Sequence, residues 1–239
     1  MRLLLVAALL LSLAGCATPT EPQQQTVTVF AAASLTESFE QIATAFEEAN
    51  PDVDVVFNFG GSSGLATQIV EGAPADVFAA ASPATMATVT DAALTTGDPV
   101  AFATNVLQIA VAGGNPGGIA TLEDFANPDS LIAVCAVEVP CGAATATLFT
   151  EAGITPSVDT YEQDVKAVLA KVELGEVDAG LVYVTDVLAA GSAVEGIGVD
   201  SAPVDYPIAA LTDRGRAFLD FVLSAEGQAI LAKAGFGAP

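Results

Sequence analysis

The chain has no histidine and no tryptophan, only 3 cysteines, and 6 lysines and arginines against 29 aspartates and glutamates. Each shortage removes a class of chemistry. Without histidine there is no Ser-His-Asp or Cys-His catalysis and no His-ligated metal site. A formal net charge of −23 repels polyphosphate backbones, which excludes nucleic-acid binding. Apolar residues are plentiful: 52% of the 239 residues are hydrophobic and 15% are charged. That composition excludes a disordered chain and suits one large domain or two small ones, each able to bury a core.

Residues 1–16 read MRLLLVAALLLSLAGC. Arg2 is a short positive start, and residues 3–13 are an apolar run too short to cross a bilayer as a helix. The run ends in Leu13-Ala14-Gly15-Cys16, which resembles a lipobox. The prediction is a signal peptide over residues 1–15, cleavage before Cys16 and lipid on Cys16; the alternative is an ordinary signal peptide with a chance cysteine. Residues 16–25 then form a lipidated tether, polar and Pro-containing after the cysteine (ATPTEPQQQ). The fold is expected outside the cytoplasm, anchored to the cell membrane and not spanning it. There the remaining pair, Cys135 and Cys141, reads as a disulfide. So short a loop gives roughly 2 kcal/mol by the chain-entropy model. The spacing is not CxxC, so a redox motif is the weaker reading, and two thiolates without histidine are too few for a metal site.

From residue 26 onward short apolar runs alternate with helical stripes. TVTVFAAA at residues 26–33 reads as a buried strand, and Leu35, Phe39, Ile42 and Phe46 as a helix capped by Ser34 or Thr36. VDVVFNF at residues 53–59 and DVFAA at residues 76–80 are further strands, each followed by a helix. The rhythm restarts with VLQIAVA at residues 106–112 and continues with strands at residues 131–136, 179–183 and 206–211. Helices are predicted over residues 140–152 and 164–174, and one last amphipathic helix over residues 216–234. This predicts an α/β protein of two lobes, each a mostly parallel sheet flanked by helices. The crossings fall near residues 102–105 and 202–206, so lobe 1 is 26–104 plus 206–239 and lobe 2 is 105–205.

Ligands of open α/β sheets sit at the carboxyl ends of strands. Here those ends carry small polar turns: Ala33-Ser34, Gly60-Gly61-Ser62-Ser63, Val139-Pro140-Cys141-Gly142 and Gln163-Asp164-Val165, with Tyr183 closing the AGLVY strand. All but Tyr183 open helices, whose first N–H groups lack intrahelical partners. Converging helix N-termini, with Ser and Tyr hydroxyls added, make an anion site from neutral dipoles. Taken singly, each turn reads as a plain helix cap or loop; the set across two lobes favours the anion.

These segments resemble the periplasmic molybdate-binding proteins of ABC importers. VFAAASLT at residues 29–36, FGGSSGLATQI at 59–69 and GAPADVFA at 72–79 are similar to that family's opening motifs. VPCG at residues 139–142, EQDV at 162–165, GLVY at 180–183 with Asp186, and YPI at 206–208 follow in order. The resemblance implies a two-lobed periplasmic binding fold with molybdate or tungstate in the interlobe cleft. It implies ligand contacts from Ser34, from Ser62 with Ser63 its neighbour, from the backbone N–H of Cys141 and Val165, and from the Tyr183 hydroxyl. It also implies a monomer without a cofactor that hands its ion to a membrane permease. A cysteine at 141 departs from the family's usual small residue, and a Cys135–Cys141 bridge would stiffen that loop.

Rival readings stay open. A sulfate-binding lipoprotein would use the same donors. Phosphate carries a proton and needs an acceptor, for which Asp76, Asp164 and Asp186 are candidates. Ferric binding is disfavoured with only Tyr161, Tyr183 and Tyr206 and no histidine. A serine enzyme would pair Ser62 or Ser63 with Lys166 or Lys171, but there is no GxSxG elbow. A purely structural lipoprotein is the remaining reading.

Overall fold

The computed structural model describes residues 24–239; the predicted signal peptide, Cys16 and most of the tether lie outside the described residues. No helix among the described residues is long and apolar enough to cross a membrane. The first part of the chain runs β1 (Gln25–Ala32), α1 (Thr36–Ala49), β2 (Val53–Gly60), α2 (Ser62–Val70), β3 (Val77–Ala79), α3 (Pro83–Asp91) and β4 (Val100–Asn105). The second runs β5 (Leu107–Ala112), β6 (Ile132–Cys135), α4 (Pro140–Ala152), β7 (Thr160–Glu162), α5 (Val165–Glu173), β8 (Ala179–Tyr183), α6 (Val184–Ala190) and β9 (Val194–Gly198). The chain then forms β10 (Val204–Ala210), α7 (Gly215–Leu223) and α8 (Ala225–Lys233).

Two five-stranded sheets result, ordered β2-β1-β3-β10-β4 and β7-β6-β8-β5-β9. The chain passes to the second sheet at Val106 and returns through residues 199–203. In each sheet the strand that arrives from the other lobe is the reversed one. β10 pairs antiparallel with β3 and β4, and β5 pairs antiparallel with β8 and β9, while β1-β2, β1-β3, β6-β7 and β6-β8 are parallel. The sheets are therefore mixed, with most strands running one way.

Alternation along β1 explains its two-sided burial. Val27, Val29 and Ala31 enter the large core with Phe39, Phe46 and Phe218, while Phe30 enters a second cluster with Leu65, Ile69, Phe78 and Met86. Helices thus cover both faces, as a parallel run of apolar residues requires.

Three details depart from expectation. Neither Ser34 nor Thr36 caps α1: a 3-10 turn over Ala33–Leu35 precedes it, and no side chain caps either element. The last helix is two, α7 and α8, broken at Ser224, whose hydroxyl accepts from the Gly227 N–H at 3.2 Å. Strands β4, β7 and β9 were not visible as apolar runs.

Candidate functional site

In both sheets the strand order reverses around the strand next to one edge, β1 or β6. The chain leaves β1 for β2 on one side and β3 on the other, and leaves β6 for β7 and β8 likewise. Such a switch point opens a crevice at the carboxyl ends. The two crevices face one another across a single cavity of about 230 Å³, its mouth included. Its wall from the first sheet is Ala32, Ala33 and Ser34 after β1, Gly60, Gly61 and Ser62 after β2, and Ala81 after β3. Its wall from the second sheet is Val139, Pro140 and Cys141 at the start of α4, Asp164 and Val165 at the start of α5, and Tyr183 at the end of β8. The structure therefore brings Ser34, Ser62, Cys141, Val165 and Tyr183 together. Among the described residues no lysine or arginine lines the space.

The helices opening here leave their first N–H groups free. Neither α2 nor α4 has a side-chain cap, whereas α3 and α8, which start elsewhere, are capped by Ser82 and Ser224. Asp164 caps α5 by accepting from the Ala167 N–H at 2.9 Å, which leaves the N–H of Val165 outside that bond. Among the described residues the α2 and α4 N-termini present backbone donors to the cavity with no competing side chain.

Hydroxyls complete the wall. The Ser62 Oγ accepts from the Ala81 N–H at 3.1 Å and keeps its own proton to give. The Ser34 Oγ lies 2.9 Å from the Tyr206 Oη. Tyr183 is 1% exposed, and its hydroxyl has no partner among the described residues. Burial first, and the Asp186 carboxylate second, hold the Tyr183 phenol well above its usual range. Burial and then Tyr183 do the same to Tyr206. Both phenols are therefore neutral donors at any ordinary pH. Tyr206, named in the sequence only as part of the YPI motif and as a disfavoured ferric ligand, stands behind the wall as the partner of Ser34, a role that sequence reasoning did not assign it.

Beside the cavity lies one ion-pair chain. Lys166 on α5 reaches Glu37 on α1 at 2.7 Å and Asp186 on α6 at 3.2 Å, so it ties the two lobes together. Burial lowers the Lys166 ammonium's pKa, but Asp186 and Glu37 outweigh it and the net shift is upward. Asp186 also accepts from the Tyr183 N–H at 3.0 Å. Two further contacts cross the cleft. The Ser63 Oγ donates to the Glu138 carbonyl at 2.6 Å, and Gly61 lies so close to Gln163 that a Cβ would fall 2.2 Å from its carbonyl oxygen.

Other candidates are placed elsewhere. Asp76 accepts from Thr28 N–H and Thr212 hydroxyl and pairs with Arg214, away from the cavity wall. Lys171 pairs with Glu162 and Glu176. Ser62 and Ser63 share no hydrogen bond with either lysine among the described residues. Cys135 and Cys141 form the expected disulfide.

Residues 27–237 match the family model of bacterial extracellular solute-binding proteins. The chain is 42% identical over 234 residues to the molybdate-binding protein ModA of Mycobacterium tuberculosis, covering 92% of this chain and 88% of that one. It is 34% identical to the ModA of Haemophilus influenzae, covering 89% and 90%. The solved periplasmic molybdate-binding protein of Azotobacter vinelandii superposes with a TM-score of 0.77 at 20% identity, covering 89% and 99%. The sulfate-binding protein SubI of Mycobacterium tuberculosis superposes with a TM-score of 0.78 at 19% identity, covering 89% and 86%. At such identities the two structures speak for the fold alone. By the near-complete family match and the relatives above 30% identity, the chain belongs to the bacterial extracellular solute-binding protein family, as a relative of the ModA proteins.

Proposed function

We propose that this protein captures molybdate, and tungstate with it, and delivers the ion as a monomer to the permease of an ABC importer. Lipid on Cys16 would hold it at the outer face of the cell membrane. One observation carries the reading. The carboxyl ends of three strands in each sheet converge on one small cavity whose wall supplies hydroxyls and free backbone N–H groups and no cationic side chain. Such a wall suits a fully deprotonated tetrahedral oxyanion. Each hydrogen bond to a charged group contributes roughly 1.5–3 kcal/mol net, so several together offset the desolvation of a dianion.

In this mechanism Tyr206 donates to Ser34, and Ser34 turns its own proton to the ion. Ser62 donates its hydroxyl, Cys141 and Val165 donate backbone N–H groups, and the Tyr183 hydroxyl gains the partner it lacks. The lobes close about the two crossings, and Lys166–Glu37 and Ser63–Glu138 form across the cleft as they do so. Discrimination against sulfate rests on size, since Mo–O and W–O bonds are longer than S–O bonds and the same donors face both. Protonated phosphate needs an acceptor, and among the described residues the wall offers a single carboxylate, Asp164, which spends part of its capacity capping α5 through the Ala167 N–H.

The test is thermal unfolding of the full-length chain in detergent with molybdate, tungstate, sulfate and phosphate added singly. A ligand at about a hundred times its Kd stabilises by roughly 2.7 kcal/mol. The expected result is a large shift with molybdate and tungstate and little with sulfate. A shift with sulfate or phosphate alone overturns the substrate, and none with any oxyanion overturns the site.

A further inference from the structure

Residues 136–140 form a strap between the end of β6 and the start of α4, with the oxyanion cavity at one end and an open hollow along its outer side. Val139, Pro140 and Cys141 wall the oxyanion cavity, whereas Cys135, Ala136, Glu138 and Gly142 wall a second hollow of about 1120 Å³, its mouth included. The Thr145 hydroxyl lines that hollow and is buried without a partner among the described residues. Close packing fixes a segment only where atoms press on it from both sides, and the hollow leaves Ala136, Val137 and Glu138 without that pressure on one side.

Val139 and Cys141 pack into the core at the far end of the strap, and the other restraints on it are local. The Ala136 N–H donates to the Glu162 carbonyl at 2.8 Å, and the Val139 N–H to the Ala136 carbonyl at 3.1 Å. Gly142 sits against the strap so tightly that a Cβ would fall 1.8 Å from the Ala136 carbonyl oxygen. From the cleft, Ser63 bonds the Glu138 carbonyl at 2.6 Å and so pulls on the strap whenever the lobes meet. The covalent restraint is the Cys135–Cys141 disulfide, which ties the strap's two ends together.

We infer that this disulfide is a positioning element of the binding site: it fixes the Cys141 N–H against the hollow behind it, and thereby sets the affinity and size discrimination of the oxyanion cavity. The inference rests on the oxyanion reading above. A donor displaced by a fraction of an ångström loses its hydrogen bond to a small ion, and a wall that can recoil admits ions of more than one radius.

The experiment compares the full-length chain with its Cys135→Ser/Cys141→Ser double variant, which keeps both backbone N–H groups. Molybdate and sulfate are titrated calorimetrically, well below both unfolding transitions. The variant is expected to bind molybdate about tenfold more weakly or worse, as for loss of a charged hydrogen bond, and to show a narrower molybdate-to-sulfate ratio. A folded variant whose molybdate Kd stays within about twofold overturns the inference, even if its unfolding temperature falls, because the disulfide is then a stabiliser only. Should the double variant not fold, the native chain is treated with a dithiol, which supplies two electrons and two protons and leaves two thiols, and the same criterion applies. A native chain that binds neither ion overturns the oxyanion reading and this inference with it.

Discussion

Tyr183, a donor to the ion in the proposed mechanism, shows how a binding group would differ from a stabilising one. Its hydroxyl is buried without a partner among the described residues, an arrangement that costs the fold free energy. Tyr183→Phe is therefore expected to leave the ligand-free unfolding temperature unchanged or raised. The same change removes one donor to the ion and weakens molybdate binding by about 10- to 100-fold. Calorimetry on both proteins reads the two effects, and parallel losses in both would make Tyr183 merely structural. Asp186 beneath it carries a pH signature. Burial pushes its carboxyl up to about 6, against the pull of Lys166 and the Tyr183 N–H. In the unfolded chain it titrates near about 3.9. Between those values the folded chain holds a proton that the unfolded chain does not. Stability therefore rises as pH falls from about 6 to about 4, by up to about 3 kcal/mol, and is lost again as pH climbs back. Urea unfolding across that range is expected to show the slope, and Asp186→Asn to flatten it.

Among the elements, two glycines at helix starts have opposite roles. Gly61 precedes α2 with φ −61 and ψ 123, a backbone any residue adopts, so its lack of a side chain serves only the approach to Gln163 across the cleft. Gly61→Ala is expected to spare the ligand-free fold and to weaken binding by obstructing closure. Gly142 meets Ala136 within its own lobe, so Gly142→Ala is expected to destabilise the fold itself by about 1–3 kcal/mol, as overpacking does. Thermal unfolding and titration of each variant separate the two. Much of this was legible in the sequence. The runs ending at Ser34, Ser62 and Tyr183 and the Pro140 helix start lie where their patterns put them, because burial on both faces and a proline at the first helical turn are local signals. Strand direction was not, since LQIAVA and YPIAA bury equally well either way. The break at Ser224 was hidden because apolar residues continue along one face through both α7 and α8. Tyr206 was hidden because its partner Ser34 is 172 positions away, and no periodicity reports such a distance.

The molecule as a whole carries −23 formal charges, and the ligand proposed for it is an anion. Its long-range field opposes the encounter, and its attraction is confined to dipoles within the cleft. Salt shortens the reach of that field, with a Debye length of about 10 Å at 0.1 M. The association rate for molybdate is therefore expected to rise with ionic strength, the reverse of electrostatic steering, while dissociation from the closed cleft changes little. Stopped-flow measurement over a range of salt concentrations tests this, and a rate that falls with salt would show that local potential outweighs net charge.

The same molecule provides an optical signal for that measurement. Tryptophan is absent and there are 3 tyrosines. Tyr161 is 62% exposed, while Tyr183 on the cavity wall and Tyr206 behind it stand edge to face with ring centroids 6.0 Å apart. Near-ultraviolet circular dichroism thus carries a contribution from two coupled phenols, one of which acquires a hydrogen-bond partner in the proposed complex. Occupancy of the site is written into the protein's own spectrum, without a dye or label.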